Sequence, residues 1–293
     1  MPELPDVELY CGTIAERVLG EPVEKLRLAS AFLLRSVDPP ASEVIGRRVT
    51  AVRRLGKRLV LALEDDLFLV FHLMIAGRFR WEARGAELPA RIGLGALDFP
   101  NGSLIVTEAS KKKRASLHVV RGAEALAEHD PGGLEVLESD LAAFARALRE
   151  ENHTLKRALT DPRRFSGIGN AYSDEILHAA RLSPIQQTKK LDDEEVARLY
   201  RATRETLVGW TERLREEFAG RFPGAGDVTA FRPDFAVHGR YRQPCPVCGD
   251  PVQRIRYADS ETNYCATCQT GGRVLRDRAL SRLLKDDWPD SLS

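Results

Sequence analysis

Four cysteines near the end of the chain limit its fold more than any other feature of the sequence. They form two C-x-x-C pairs with 16 residues between the pairs, at Cys245, Cys248, Cys265 and Cys268. This spacing is typical of a zinc ribbon, in which four thiolates close a tetrahedral site around one structural ion. Two disulfide-linked hairpins are the alternative. The sequence has no secretory or membrane-spanning apolar run, which favours a reducing cytoplasm and zinc.

The fifth cysteine has a different setting. Cys11 falls on an apolar stripe at helical spacing with Val7, Tyr10, Ile14 and Val18. A thiol in such a stripe packs like a small apolar side chain. The pattern therefore predicts a helix whose buried face includes Cys11, and no metal ligand there.

The first residues of the chain carry a candidate nucleophile. Removal of Met1 would expose Pro2 as a secondary amine with the Glu3 carboxylate beside it. An α-amino group titrates near ~8, so part of it is neutral at pH 7 and can attack an electrophilic carbon to form an iminium. A frayed terminus stiffened by proline is the alternative, which these residues alone do not exclude.

The hydrophobic pattern divides the chain into a strand-rich part and a helical part. Short apolar and β-branched runs predict strands at 23–28, 49–53, 59–63, 67–73, 104–107 and 117–120. The turn residues 130–133 end this pattern, and apolar residues then recur at helical spacing from 134 to 218. We therefore expect an α+β chain that begins with a sandwich or barrel.

Basic residues are unevenly distributed, although the formal net charge is only +1. From position 232 to 282, nine arginines stand against five acidic residues. A second basic run consists of Lys111, Lys112, Lys113 and Arg114. Basic patches beside a zinc ribbon indicate a polyanionic partner, but a solvated charged face explains each patch equally well.

The segment Gly167-Ile168-Gly169-Asn170 precedes a predicted helix. Glycines allow close approach of the backbone, and the free N–H groups of a helix N-terminus attract phosphate. A tight turn between two helices has the same pattern, so this motif does not establish a phosphate site by itself.

Taken in chain order, these motifs resemble the formamidopyrimidine-DNA glycosylase and endonuclease VIII family of bacterial repair enzymes. Residues 2–8, Pro-Glu-Leu-Pro-Asp-Val-Glu, resemble its N-terminal signature and are closer to the formamidopyrimidine branch. Gly56-Lys57-Arg58 resembles its lysine turn, residues 167–172 its helix-two-turn-helix, and the four cysteines its zinc finger. The resemblance extends over almost the whole chain.

The resemblance implies a two-lobed α+β protein. An N-terminal catalytic β-sandwich, opened by a catalytic helix, is expected at 1–129, and a helix-two-turn-helix DNA-binding domain at 130–232. A β-hairpin zinc finger with its preceding loop is expected at 233–275, and a C-terminal helical extension at 276–293. We expect one structural zinc ion, no catalytic cofactor, and a monomer in the cytoplasm, associated with the nucleoid and not with a membrane.

The implied activity is bifunctional base excision on damaged double- or single-stranded DNA. The damaged nucleotide leaves the base stack before it is attacked. The Pro2 nitrogen would then displace the base and form an iminium, which promotes β- and δ-elimination and cuts the strand. Glu3 would move the proton at the sugar ring, and Lys57 would hold a phosphate of the flipped nucleotide.

The resemblance implies further contacts with DNA. Glu8 and Ile75 would shape the lesion pocket. Contacts with the DNA backbone are expected from Lys156, Gly169, Asn170, Lys111, Lys112, Lys113, Arg114, Arg254 and Arg256. Contacts of this kind position the DNA and do not read its sequence.

Three segments depart from the family pattern. Members that act on oxidised purines have a methionine where this chain has Ile75, and an arginine and a phenylalanine in a segment that here reads Glu108 and then a basic run. The usual arginine five residues before the third cysteine is Ser260. We therefore expect weak activity on oxidised guanine paired with cytosine, and better activity on abasic or single-stranded DNA.

Two other functions remain open from the sequence. One is a lesion- or structure-specific DNA-binding protein on the same scaffold with little glycosylase activity. The missing methionine, arginine and phenylalanine, which we call the wedge residues, favour this function, whereas the intact Pro2 and Glu3 oppose it. The other is a zinc-ribbon protein that binds RNA or protein, which would require all four motifs to be accidental.

Overall fold

The computed structural model describes residues 1–257 and 260–275, which group into two compact units. The first unit contains Met1–Pro131 and Trp210–Thr229. The second contains Gly132–Gly209 and the described residues from Ala230 onward. The C-terminal extension expected at 276–293 lies outside the described residues. None of the described helices is both long and apolar enough to cross a bilayer.

Two antiparallel four-stranded sheets form most of the first unit. The strands are β1 (Lys25–Leu28), β2 (Val49–Leu55), β3 (Arg58–Leu63), β4 (Leu67–His72), β5 (Gly77–Glu82), β6 (Gly93–Phe99), β7 (Gly102–Glu108) and β8 (Ser116–Arg121). One sheet has the strand order β1-β6-β7-β5 and the other β2-β3-β4-β8. Helix α1 (Leu4–Val18) precedes both sheets, and the short helix α2 (Ala123–Ala127) follows them.

The core of this unit lies between the two sheets and against α1. Along β3, Leu59 and Leu61 join the core that also contains Tyr10 of α1 and Phe79 of β5. Because successive side chains of a strand point to opposite faces, the alternate residue Val60 joins a smaller cluster beneath α2. The predicted stripe with Cys11 is confirmed as the buried face of α1.

The six predicted strands are confirmed, with ends that differ by a few residues. Two strands were not predicted. In β5, Arg78 and Arg80 alternate with Phe79, so apolar content is low. In β6, Gly93 and Gly95 lower the strand propensity, although their neighbours in the strand are buried.

The second unit is mainly helical and also contains a β-hairpin. Its helices are α3 (Leu141–Arg149), α4 (Leu155–Thr160), α5 (Asn170–Ala179), the first part of α6 (Asp193–Glu217), and α7 (Ala266–Thr270). Strands β9 (Gln253–Tyr257) and β10 (Ser260–Tyr264) form an antiparallel hairpin. Phe144 anchors the helical core, with its ring centroid 4.9 Å from that of Phe165 and 5.4 Å from that of Tyr200.

The compact units do not follow chain order throughout. The last part of α6 groups with the first unit, where Leu214 and Phe218 pack with Leu9 of α1. The four domains expected in chain order place this segment with the helical domain instead. Their boundaries stay a prediction.

Candidate active site and nucleic-acid interface

The amino terminus is ordered by the start of α1. Pro2 and Glu3 are buried, and Glu3 is the N-cap of the helix. The backbone N–H of Glu3 donates to Asp6 Oδ2 over 2.9 Å, while the Glu3 carboxylate accepts from the backbone N–H of Asp6. This reciprocal capping box fixes the direction in which the chain enters the helix. Pro2 and Glu3 are therefore held in place and not frayed.

The electrostatic setting favours a neutral amine at the terminus. Burial is the main cause that lowers the pKa of the terminal amine, which Met1 carries in this structure. The carboxylates of Glu3 and Asp6 raise this pKa, whereas the charges of Arg78 and Lys57 lower it. The net direction is down, so a larger neutral fraction is present at pH 7. A neutral amine is the nucleophilic form.

Lys57 lies in the tight turn between β2 and β3. Gly56, with a φ of +60°, supplies the left-handed conformation that this turn requires. The side chain of Arg54 donates to the Gly56 carbonyl oxygen over 3.0 Å, and its Nε donates to Glu8 Oε1 over 3.0 Å. The lysine turn is thereby attached to α1, the helix that carries Pro2 and Glu3.

Glu8 is half-buried and engaged with two arginines. Besides Arg54, its carboxylate lies 3.6 Å from the guanidinium of Arg215. The two arginines balance the negative charge of the Glu8 carboxylate, and the contact with Arg54 links α1 to the lysine turn. The expected contribution of Glu8 to a lesion pocket stays a prediction.

Ile75 lies at the tip of the turn between β4 and β5 and is 63% exposed. The Gly77 N–H donates to the Leu73 carbonyl oxygen over 2.9 Å, which closes this turn. A Cβ atom at Gly77 would lie 2.2 Å from that oxygen, so only glycine fits. Ile75 is therefore an exposed apolar side chain on a rigid turn, and its expected contribution to a lesion pocket stays a prediction.

Sequence reasoning missed Arg78. Its guanidinium donates to the carbonyl oxygens of Ile75 and Gly77, over 3.1 and 2.6 Å, and its charge acts on the terminal amine. An arginine in a strand that was itself not predicted offers no signal in the sequence. Only the folded sheet brings it to the amino terminus.

The basic run between β7 and β8 is organised around the buried carboxylate of Glu108. Its Oε2 accepts the backbone N–H groups of Arg114 and Ala115 over 2.8 and 3.0 Å, and its Oε1 accepts from Ser110 over 2.8 Å. Lys113 bends back and donates to the Glu108 carbonyl oxygen. The other cations of the run, Lys111, Lys112 and Arg114, are exposed.

In the second unit, α5 begins at the glycine motif. Gly169 is the N-cap of α5, and Asn170 is its first residue. Lys156 of α4 donates to the Asn170 carbonyl oxygen over 2.6 Å and to Asp174 Oδ1 over 2.5 Å. In this structure the Lys156 ammonium is held by these two contacts beneath the start of α5, and 13% of the side chain is exposed. The expected contact of Lys156 with DNA stays a prediction.

Asn170 also connects α5 to the zinc hairpin. Its side-chain amide donates to the Glu261 carbonyl oxygen over 2.9 Å. The Glu261 carboxylate lies 3.2 Å from Arg254 and 3.8 Å from Arg256, and the Arg254 guanidinium stacks 4.1 Å from the ring centroid of Tyr241. Of the two expected DNA contacts on β9, Arg256 is the more exposed.

Sequence reasoning also missed two buried acids of α5, Asp174 and Glu175. Asp174 Oδ2 lies 2.7 Å from His238 Nδ1 and accepts the Asn263 N–H over 3.0 Å. Glu175 accepts three backbone N–H groups, from residues 236, 237 and 238, over 2.6 to 2.9 Å. Burial raises the pKa of Glu175, and these N–H groups oppose the rise. Two adjacent acidic residues in a helix that is largely buried are the feature that could have identified Asp174 and Glu175.

The four predicted zinc ligands come together. Their Sγ atoms all lie within 4.8 Å of one another, with 3.9 Å between Cys245 and Cys268 and 3.4 Å between Cys248 and Cys265. Four thiolates with Zn–S bonds of about 2.3 Å require sulfur separations of this size. All five cysteines are free of disulfides, so the disulfide alternative is wrong. In the described part of the chain, this is the only cluster of at least three candidate metal ligands.

Comparison with known families gives three matches in chain order. The formamidopyrimidine-DNA glycosylase N-terminal domain matches residues 1–168. The formamidopyrimidine-DNA glycosylase H2TH domain matches residues 133–213, and the zinc finger found in FPG and IleRS matches residues 242–271.

Individual proteins match over nearly the full chain. A formamidopyrimidine-DNA glycosylase of Thermus thermophilus is 35% identical over 282 residues, which cover 93% of this chain and all of the relative. The crystal structure of the MutM (Fpg) protein from the same organism superimposes with a TM-score of 0.76 at 33% identity, over 92% of this chain and 98% of that one.

A third comparison concerns the fold alone. Formamidopyrimidine-DNA glycosylase of Lactococcus lactis, bound non-covalently to DNA that contains an AP site, has a TM-score of 0.79 at 23% identity. The match covers 92% of this chain and 99% of that structure.

Proposed function

Because this chain belongs to the formamidopyrimidine-DNA glycosylase family, we propose that its buried amino terminus performs base excision through the Pro2 nitrogen. The protein is a DNA glycosylase with DNA-(apurinic or apyrimidinic site) lyase activity in base excision repair. It binds one zinc ion through the four cysteines of its two C-x-x-C motifs. The position of Pro2 and Glu3, buried at the capped start of α1, carries the assignment of the nucleophile.

The proposed reaction assigns a step to each group at the terminus. The neutral Pro2 nitrogen attacks the anomeric carbon of the extruded nucleotide, and the base leaves with the electron pair of the glycosidic bond. Glu3 donates a proton to the sugar ring oxygen as the ring opens and the iminium forms. The iminium acidifies the neighbouring C2′, and loss of a proton there expels the 3′ phosphate. The double bond formed in that step is conjugated with the iminium and acidifies C4′, so loss of a second proton, from C4′, expels the 5′ phosphate.

Lys57 and Arg78 have two proposed effects on this reaction. Burial is the main cause that lowers the pKa of the Met1 amine, and both charges act in the same direction. We propose that the Pro2 amine, once Met1 is removed, meets the same two charges. A phosphate of the flipped nucleotide would meet Lys57 in its turn, held against α1 through Arg54 and Glu8. Such positioning lowers the entropic cost of bringing the reacting atoms together.

The DNA backbone contacts are proposed on charge and exposure. Lys111, Lys112, Arg114 and Arg256 present exposed cations, which suit phosphate oxygens. Gly169 and Asn170 present the N-terminal end of α5, with Lys156 beneath it. Lys113 and Arg254 are engaged in contacts within the protein and would position the loop after Glu108 and strand β9 for the other DNA contacts.

Finer features of the function are proposals of the same kind. We propose that the protein acts as a monomer, in the cytoplasm beside the nucleoid, and that it accepts single-stranded as well as double-stranded damaged DNA. The separate domains expected at 1–129, 130–232 and 233–275 would each contribute contacts to one DNA molecule.

Borohydride trapping tests the nucleophile directly. The Met1-processed protein and its Pro2→Gly variant are incubated with a duplex that contains one abasic site, and the reduced adduct is measured on a denaturing gel. We expect a covalent adduct with the natural protein and none with Pro2→Gly. Pro5→Ala, which changes a proline of the same helix, should retain the adduct.

Glu3→Gln separates the two chemical steps. We expect it to lose release of a damaged base while it still traps a preformed abasic site at a reduced rate. An adduct that persists in Pro2→Gly, or an absent adduct with the natural protein although DNA binds, would overturn the assignment of Pro2.

A further inference from the structure

Two histidines on the outer face of the β2-β3-β4-β8 sheet have no part in the proposed reaction. His118 of β8 is paired with Val70 of β4, a residue of the cluster beneath α2. The His118 side chain therefore leaves the sheet on that outer face, away from the main core. His129 follows α2, and its ring centroid lies 4.6 Å from that of His118.

Two more basic groups lie at the same end of this face. His72 ends β4, two residues after Val70, and so points to the same side. Arg58 begins β3 directly after Lys57, and its charge acts on all three histidines. We call His72, His118, His129 and Arg58 the histidine patch.

The charges around the patch are predominantly positive. Besides Arg58, His118 faces the charge of Arg35, and His72 faces that of Lys57. Two acids oppose them, Glu128 beside His129 and Asp130 beside Arg58. No hydrogen bond joins the ring of His118 or His129 to another residue in the described part of the chain, and both rings are partly exposed.

This setting keeps the imidazoles neutral in the free protein. Burial first, and then the charges of Arg58 and Lys57, lower the pKa of His72 to about 4. Burial, and then the neighbouring His129 and Arg58, lower the pKa of His118. Burial and Arg58 do the same for His129, although Glu128 opposes them. An anion seated here would remove the repulsion and allow protons to bind.

We propose that His118 and His129 form a second phosphodiester-binding site, next to the lysine turn, that takes up protons when DNA binds. This inference rests on the proposed function, because it requires DNA held at Lys57. The ring N–H groups of the two imidazoles and the guanidinium of Arg58 suit an anion, and the charge of Arg58 disfavours a metal cation. DNA binding should therefore strengthen as pH falls, because the bound complex holds more protons than the free protein.

The test measures DNA affinity against pH. Fluorescence anisotropy with a duplex that carries a non-cleavable abasic analogue is recorded between pH 8 and pH 5.5 at constant ionic strength. One proton taken up changes the affinity by up to about tenfold per pH unit. We expect the natural protein to bind at least about fivefold more tightly at pH 6 than at pH 8. The double variant with His118→Gln and His129→Gln should lose most of this gain and bind normally at pH 8.

Two further variants sharpen the test. His153→Gln changes a histidine of the second unit that is 2.6 Å from Glu151, and it should retain the pH dependence. His118→Lys carries a permanent charge, so it should bind well at pH 8 and lose part of the pH dependence. Urea unfolding at each pH establishes that the variants are folded.

The outcomes separate this inference from the proposed function. Equal pH dependence in the natural protein and the double variant would overturn the second site. Borohydride trapping at pH 8 reports on Pro2 independently. A double variant that forms the borohydride adduct normally but has lost the pH dependence of DNA binding supports both proposals. If the natural protein forms no adduct but keeps the pH dependence, only the catalytic proposal is contradicted.

Discussion

Asp174 and Glu175 are neighbours on α5 whose carboxylates organise residues distant in sequence. Asp174 binds Lys156, His238 and the backbone of Asn263, and Glu175 accepts three backbone N–H groups of the segment 236–238. A buried charge is tolerated when such partners replace water, and loss of either partner leaves the other unsatisfied. These two acids therefore connect the start of α5 to the zinc hairpin.

At the same scale, His72 predicts how stability depends on pH. Its pKa is about 4 in the folded protein and about 6.5 in an unfolded chain, so the unfolded chain binds the proton first. The stabilising effect of neutral His72 is complete above pH ~6.5 and is lost as pH falls toward ~4. We expect His72→Gln to reduce this loss by about 1–2 kcal/mol, since partial solvent exposure weakens the effect.

Urea unfolding at pH 7.5 and pH 4.5 measures the effect of His72. The free energy of unfolding should fall less between these two values in His72→Gln than in the natural protein. His153→Gln serves as the control histidine. An identical fall in the natural protein and in His72→Gln would contradict the prediction.

At the scale of the elements, α1 depends on its reciprocal cap. Asp6→Ala removes the acceptor for the Glu3 N–H, and we expect a loss of about 1 kcal/mol of stability. The adduct should also form more slowly, because Pro2 and Glu3 lose their fixed entry into the helix. Asp6→Asn keeps an acceptor oxygen and should be milder on both measures. Thermal unfolding and the rate of borohydride trapping test the pair of variants, and equal trapping rates would refute the positioning role.

The hairpin of β9 and β10 is an element that depends on its zinc site. Cys245 and Cys265 are buried with Val237 and Val252 in a small cluster that lacks other large apolar side chains. Binding of zinc therefore supplies much of the folding free energy of this segment. We expect Cys248→Ser to lower the zinc content and to weaken DNA binding by at least about tenfold.

Cys11→Ser is the matched control for the zinc site. Cys11 is buried in α1, burial raises the pKa of its thiol, and it lies in the first unit. Its variant should keep one zinc per chain and ordinary DNA binding. Metal analysis, with hydrogen exchange of residues 244–257 and 260–275, distinguishes local loss of the hairpin from global unfolding. Full zinc content in Cys248→Ser would contradict the prediction.

At the scale of the whole molecule, we predict that the choice of substrate depends on two loops that are proposed to contact the DNA. The turn with Ile75 offers one apolar side chain, and the loop after Glu108 exposes lysines instead of an arginine and a phenylalanine. Holding an intact duplex open should therefore cost more. We expect excision of oxidised guanine opposite cytosine to be at least about tenfold slower than cleavage at an abasic site, a difference of about 1.4 kcal/mol.

A panel of matched oligonucleotides measures this preference under single-turnover conditions. It contains oxidised guanine opposite cytosine, an abasic site in a duplex, and an abasic site in a single strand. Comparable rates on all three would show that the missing wedge residues do not govern the choice of substrate. The lysine loop can be tested in the same panel with Lys112→Ala, which should weaken binding to every substrate alike.

Local patterns were sufficient for a large part of the fold and site. The zinc ligands follow from the spacing of the cysteines, α1 from its apolar stripe, and six strands from short apolar runs. Each of these depends on residues close together in the chain. The strands β5 and β6 escaped detection because alternating arginines and internal glycines hide a buried strand.

The sequence by itself determined the zinc site, the amino-terminal motif and the order of a strand-rich and a helical part, because spacing and periodicity act locally. Tertiary structure alone decided that Arg78 acts on the terminal amine, that Asp174 pairs with His238, and that His118 meets His129. These groups come from separate strands, helices or loops. Their charges and rings interact only after sheet pairing and helix packing have brought them within a few ångströms, a condition that no local pattern encodes.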